Sequence, residues 1–241
     1  MVAFIKSRRT SKITRSYCII KLGLFLLFVF SAGSTVGQNN MLIRKLSGKE
    51  IQRLSYDKKG NLESKQVFLI SKLDSSREAL SVKMKVQVFN KKGKLANRYS
   101  STYTCRPDKS DILLSVIPLS ANKNTKYVVE ANTNNFESLY NFSDKFTQLK
   151  DITIDVNVKS GVLGFLGSKS KITISNRKLI RKKQNYTIHS DLTVDAFFLG
   201  IIIKSVQYHV VENLSNDKSL LDQKFMNADG SYFKINYINN L

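Results

Sequence analysis

VKMKVQVFNKKGKLANRYS, residues 82–100, contains the pattern that decides the fold. Val82, Met84, Val86 and Val88 alternate with Lys83, Lys85 and Gln87. A period of two places apolar groups on one face and polar groups on the other, which is a half-buried antiparallel strand. The strand runs into NKKG, and a second strand former follows. Asn at the first position of a tight turn bonds the turn's own backbone, and Gly accepts the positive φ that closes it, so the spacing predicts a hairpin with a G1 bulge.

The same phrase recurs as YDKKG at 56–60 and NADG at 227–230. Asp57 and Gly60, Asn90 and Gly93, and Asn227 and Gly230 are therefore expected to be hairpin punctuation. Strict alternation returns in DITIDVNVK (151–159) and NYTIHSDLTV (185–194). Less regular strands are expected over 49–56, 62–73, 95–105, 111–117, 126–131, 171–180, 197–212, 220–227 and 231–238. The most apolar of these stretches, AFFLGIII (196–203), reads as a central strand buried on both faces. Weak helical spacing appears only at 137–149 and 214–222. The fold class is all-β, with few or no helices: one long, curved antiparallel sheet built from hairpins, with a closed β-sandwich as the alternative.

The N-terminus sets the compartment. Lys6, Arg8, Arg9, Lys12, Arg15 and Lys21 precede LGLFLLFVF (22–30) and the small-residue stretch SAGSTVGQ (31–38). A basic region, a short apolar core and small residues make a secretory signal peptide over 1–37, and Lys21 cuts the apolar run too short for an anchor. Residues 38–241 are then a single β domain in the periplasm or outside the cell, in some association with the outer membrane. Removing six cations and no anion takes the formal charge from +21 to +15. That excess suits an anionic membrane surface or a solvated Lys-rich exterior.

Of the two cysteines, only Cys105 survives cleavage, so no intramolecular disulfide is expected. His189 and His209 are the only histidines, and no HExxH, CxxC or GxSxG motif occurs. No metal, cofactor or catalytic residue is therefore assigned, and an undetected hydrolase is the least favoured reading. Cations and aromatics separate by face, with Lys94 and Arg98 opposite Leu95, Tyr99 and Tyr103, so nucleic acid is not an expected partner. SGVLGFLGSK (160–169) lacks the G-K-[ST] ending of a phosphate loop. It reads as a wide hairpin whose Val162, Leu163, Phe165 and Leu166 would offer a tip to a partner or a membrane.

LSGKEIQRLSYDKKGNLES (46–64), VFNKKGKL (88–95), YTC (103–105), ITISNRKLI (172–180) and MNADGS (226–231) follow one another in an order that resembles the TapB-like exported proteins of Gram-negative envelopes. The likeness rests on Gly48, on Tyr56 to Gly60 and on the Asn-Arg-Lys step at Asn176 to Lys178. The chain departs from the family at 185–192, where a second cysteine is common and NYTIHSDL stands here. The resemblance implies a half-barrel like that of lipoprotein carriers, with an apolar concave face able to accept acyl chains. On that reading Val82, Met84, Val86, Val88, Tyr99 and Tyr103 are the candidate ligand face. The expected function is non-catalytic binding or carriage of a hydrophobic or lipid ligand. The alternative is a structural or protein-binding envelope module with no ligand.

Overall fold

The computed structural model describes residues 46–75, 79–105, 126–132, 139–160, 168–182, 184–198 and 200–238. The expected signal peptide, the strand at 111–117 and the apolar tip Val162, Leu163, Phe165 and Leu166 lie outside these residues. Alternation along the chain yields β1 (Glu50–Tyr56), β2 (Leu62–Ile70), β3 (Asp74–Ser75), β4 (Leu80–Asn90), β5 (Leu95–Cys105) and β6 (Lys126–Asn132). It continues with β7 (Ile152–Ser160), β8 (Ser168–Lys182), β9 (Asn185–Phe198), β10 (Ile201–Ser215), β11 (Leu220–Met226) and β12 (Tyr232–Ile238).

All twelve belong to one large sheet in the order β2-β1-β12-β11-β10-β9-β8-β7-β6-β5-β4-β3, antiparallel at every step except the short parallel β5–β6 contact. The sheet is strongly curved, for β2 also pairs with β4, from Ser64↔Asn90 to Ile70↔Met84. The alternative of two stacked sheets is not realised, because every strand shares this one sheet. No helix is an element of the fold among the described residues. The stretch 139–149 is irregular, and 214–222 is the β10–β11 hairpin, so both weak helical signals yield to turn chemistry.

The hairpin turns share one wiring. The Asp57 and Gly60 amides donate to Asn61 O and Asp57 O, while Asp57 Oδ1 accepts from the Lys59 and Asn61 amides at 2.9 and 2.8 Å. Asn90 repeats this with Lys92 and Lys94 at 3.0 and 3.1 Å. Gly60, Gly93 and Gly230 have φ of +82°, +72° and +87°, the left-handed conformation that only glycine enters without penalty. A fourth turn of the same kind, Ser215 to Ser219, has Lys218 in that position at φ 62°.

One face of the sheet is the core. Ile51, Phe68, Leu80, Val82, Met84, Val86, Ile152, Ile154, Ile172, Ile188, Leu192, Leu214 and Phe225 are all buried. The chain between β6 and β7 adds a buried Leu139, and its Phe142 and Leu149 pack with Leu179, Tyr186, Ile188 and Leu214. AFFLGIII departs from its expected reading. The chain turns at Gly200 (φ +83°), and Ile201, Ile202 and Ile203 are 70%, 52% and 67% exposed. A glycine inside an apolar run has here made a hairpin tip in place of one continuous central strand.

Candidate functional site

The inward face has a dry, polar middle and an aromatic end. In the middle, Glu212 sits in phase with Val210 and Leu214 on β10 and is buried. Its Oε1 accepts from Tyr140 Oη at 2.8 Å and from Gln223 Nε2 at 2.6 Å, and Tyr237 Oη donates to Gln223 Oε1. Burial raises the Glu212 carboxyl, and the two hydrogen bonds and the Arg177 charge oppose that rise only in part. The Tyr140 and Tyr237 phenols are pushed far up by burial and by Glu212, so each stays a hydrogen-bond donor.

Arg177 explains the Asn-Arg-Lys step. Between Ser175 and Lys178 the β8–β9 ladder bulges, with Asn176 in the left-handed region at φ 53°. The bulge turns Arg177 inward, where it is 1% exposed and donates to Lys150 O at 3.0 Å and to Leu139 O. Leu149 N donates to Arg177 O and Leu179 N to Thr147 O, both at 2.8 Å, which stitches the 139–150 segment onto β8. This cluster is a structural anchor: Arg177 gives its two terminal nitrogens to backbone carbonyls and Glu212 accepts from Tyr140 and Gln223, while the Arg177 Nε is buried without a hydrogen bond in the protein.

The aromatic end lies toward the β1–β2 and β4–β5 turns. There Arg53 projects from β1 between its register partners Gln66 and Ile235. Its guanidinium lies 4.2 Å from the centre of the Phe233 ring. Phe233 stacks on Phe225 at 4.6 Å, and Tyr208 meets both rings edge-on. Desolvation lowers the Arg53 pKa, with Tyr208 on β10 and Tyr99 on β5 acting to raise it, so strands from separate parts of the sheet converge on this cation. Among the described residues Arg53 forms no salt bridge, and its Nε and the Gln66 Oε1 are buried without a hydrogen bond in the protein.

The six residues expected to form a ligand face do share one side of the β4–β5 ladder, where Val82 opposes Tyr103 and Val86 opposes Tyr99. They are not equally accessible. Val82, Met84 and Val86 are 0–1% exposed and belong to packed core, whereas Val88, Tyr99 and Tyr103 are only partly covered. Arg53 escaped the sequence reading because EIQRLSY offers Ile51 on one face and Leu54 and Tyr56 on the other, so its phase was ambiguous. Glu212 did leave a signal: it interrupts the apolar phase of Tyr208, Val210 and Leu214.

On the outer face, His209 Nδ1 lies 3.1 Å from Asp191 Oδ1, with both side chains about half exposed (46% and 50%). Asn176 Nδ2 donates to Asp191 Oδ2 at 2.8 Å, and the His189 ring stands 5.8 Å from His209. Burial first, then His209, Lys178 and Lys182, lower the His189 pKa, which keeps that imidazole neutral. The histidine–carboxylate pair therefore sits in the open, away from any cleft the inward face provides. Among the described residues no three His, Cys, Asp or Glu side chains gather as a metal site.

The profile of the DUF3108-like family matches residues 46–189, from the first turn through the strand that carries His189. The chain belongs to the DUF3108-like family. No curated protein matches it. Two solved structures are similar to this DUF3108-like protein. A candidate lipoprotein from Parabacteroides distasonis aligns at 12% identity and TM-score 0.42, over 82% of this chain and 97% of that one. A candidate exported protein with a YmcC-like fold from Bacteroides fragilis aligns at 13% identity and TM-score 0.39, over 79% and 94%.

Proposed function

We propose that this protein is an exported, non-catalytic envelope protein of the TapB-like kind that binds one amphiphilic ligand on its inward face. The observation that carries the reading is Arg53: a cation largely withdrawn from water, held among Phe233, Tyr208 and Tyr99, with no carboxylate among the described residues to neutralise it. A buried charge is costly unless it is paired. An anionic headgroup at Arg53 supplies that partner, with Gln66 beside it, while an acyl chain lies along Val88, Tyr99 and Tyr208. Apolar burial contributes about 25 cal/mol per Å² of chain surface removed from water. Export is supported by the basic, apolar and small-residue succession of residues 1–37.

Native mass spectrometry of the protein recovered from a bacterial periplasm without detergent tests this. The expected result is an added mass that resolves into lipid on denaturation and is lost in Arg53→Leu and in Val88→Lys. A bare protein mass for the wild type overturns the reading. It transfers weight to a structural or partner-binding envelope module, which the complete burial of Val82, Met84 and Val86 also favours.

A further inference from the structure

Three consecutive isoleucines in water need an explanation. Ile201, Ile202 and Ile203 follow the Gly200 turn, and Ile202 pairs with Phe197. Ile201 and Ile202 point to opposite faces and Ile203 is the unpaired residue of a bulge before Lys204, so the apolar surface covers both sides of the hairpin tip. A protein partner laid on one face would leave the other wet; only a medium that surrounds the tip covers both. The tip is also free to reach such a medium. β11 joins β10 only from His209 onward, so among the described residues Ile201–Gln207 is hydrogen-bonded as a strand to β9 alone and runs roughly 23 Å at about 3.3 Å per residue.

The surrounding charges favour one kind of medium. Lys204 follows the isoleucines, and Lys169 and Lys171 on β8 lie beside β9 opposite Phe197 and Asp195; all three lysines are exposed. Asp195 and Asp155, the β9 and β7 neighbours of Lys171, are the facing carboxylates. The tip is therefore apolar at its end, with net positive charge just behind it, on a domain (38–241) of formal charge +15. Lysines one headgroup layer behind an apolar wedge match the cross-section of an anionic membrane surface. We propose that the β9–β10 tip inserts Ile201, Ile202 and Ile203 into an anionic lipid interface while Lys169, Lys171 and Lys204 meet the headgroups. This is independent of any ligand on the inward face.

The chain contains no tryptophan, so Ile202→Trp places a single fluorophore in the tip. Vesicles of phosphatidylglycerol with phosphatidylethanolamine should shift its emission to the blue, and brominated acyl chains should quench it. Both effects should weaken with added salt and be absent with phosphatidylcholine. In flotation with the same vesicles, Ile201→Ser/Ile202→Ser/Ile203→Ser should lose binding about tenfold or more with an unchanged Tm. An emission unmoved by anionic vesicles overturns the proposal. So does equal response to phosphatidylcholine, or a wild type that self-associates through the tip and floats no better than the triple variant.

Discussion

Gly93 is the cleanest single-residue probe of the turn device. A methyl group added there meets nothing within 4 Å, so Gly93→Ala tests only the positive φ of +72°. The expected loss is about 1 kcal/mol, read as a Tm lower by roughly 2–4 °C; an unchanged Tm would show that the turn relaxes. Glu212 offers a probe with the opposite logic. Burial raises its folded pKa above 4.5, so the carboxyl favours folding when protonated, and that contribution is lost as pH rises through the raised value. Glu212→Gln has no such loss. The variant should gain stability relative to wild type as pH is raised from below 4.5 toward neutrality, compared by urea midpoints at each pH. A gap that does not change with pH would contradict this.

Single elements show where reading the chain worked and where it stopped. β4 was legible because its alternation is unbroken, and Val82, Met84 and Val86 are buried in that phase. The turns at Asp57, Asn90 and Asn227 were legible because Asx and Gly have local chemistry that needs no tertiary context. Lys218 occupies the same conformation without any such signature. Its Nζ donates to Phe142 O at 2.6 Å and lies 4.7 Å from the Phe142 ring, so long-range contacts hold a residue that local preference would not place there. The β8 bulge was likewise opaque, since Asn176, Arg177 and Lys178 look like an ordinary polar interruption. Because Arg177 ties Leu139 O and Lys150 O to β8, Arg177→Leu should cost about 1–3 kcal/mol for each carbonyl left unsatisfied. Amide exchange should accelerate in 139–150 before it does in β4. Uniform acceleration across both would refute the anchoring role.

At the scale of the molecule, electrostatics and topology are shared properties of many strands. Hydrogen bonds first of all lower the carboxyls of Asp57, Asp144, Asp191, Asp217 and Asp229, in each case by side-chain donors. A lowered folded pKa means stability that is present above 3.8 and lost as pH falls below it. Acid unfolding should therefore begin below that value and be steepest where these groups protonate, which far-ultraviolet circular dichroism can follow. A transition centred near neutral pH would contradict it. The pairing of β1 with β12 could not be read from the sequence, because both strands carry only their own alternation and nothing local names a partner at the far end of the chain.

That pairing has a consequence for how the protein is made. Glu50 needs Ile238, and Tyr56 needs Tyr232. A ribosome delivers β1 well before β12, so one edge of the first hairpin stays unsatisfied until the chain has reached Ile238. A stop codon between Met226 and Tyr232 would leave two bare strand margins, on β1 and on β11, instead of a shorter working protein. Such products should be cleared by proteases or aggregate through those edges, which makes Tyr232–Ile238 as indispensable as the core.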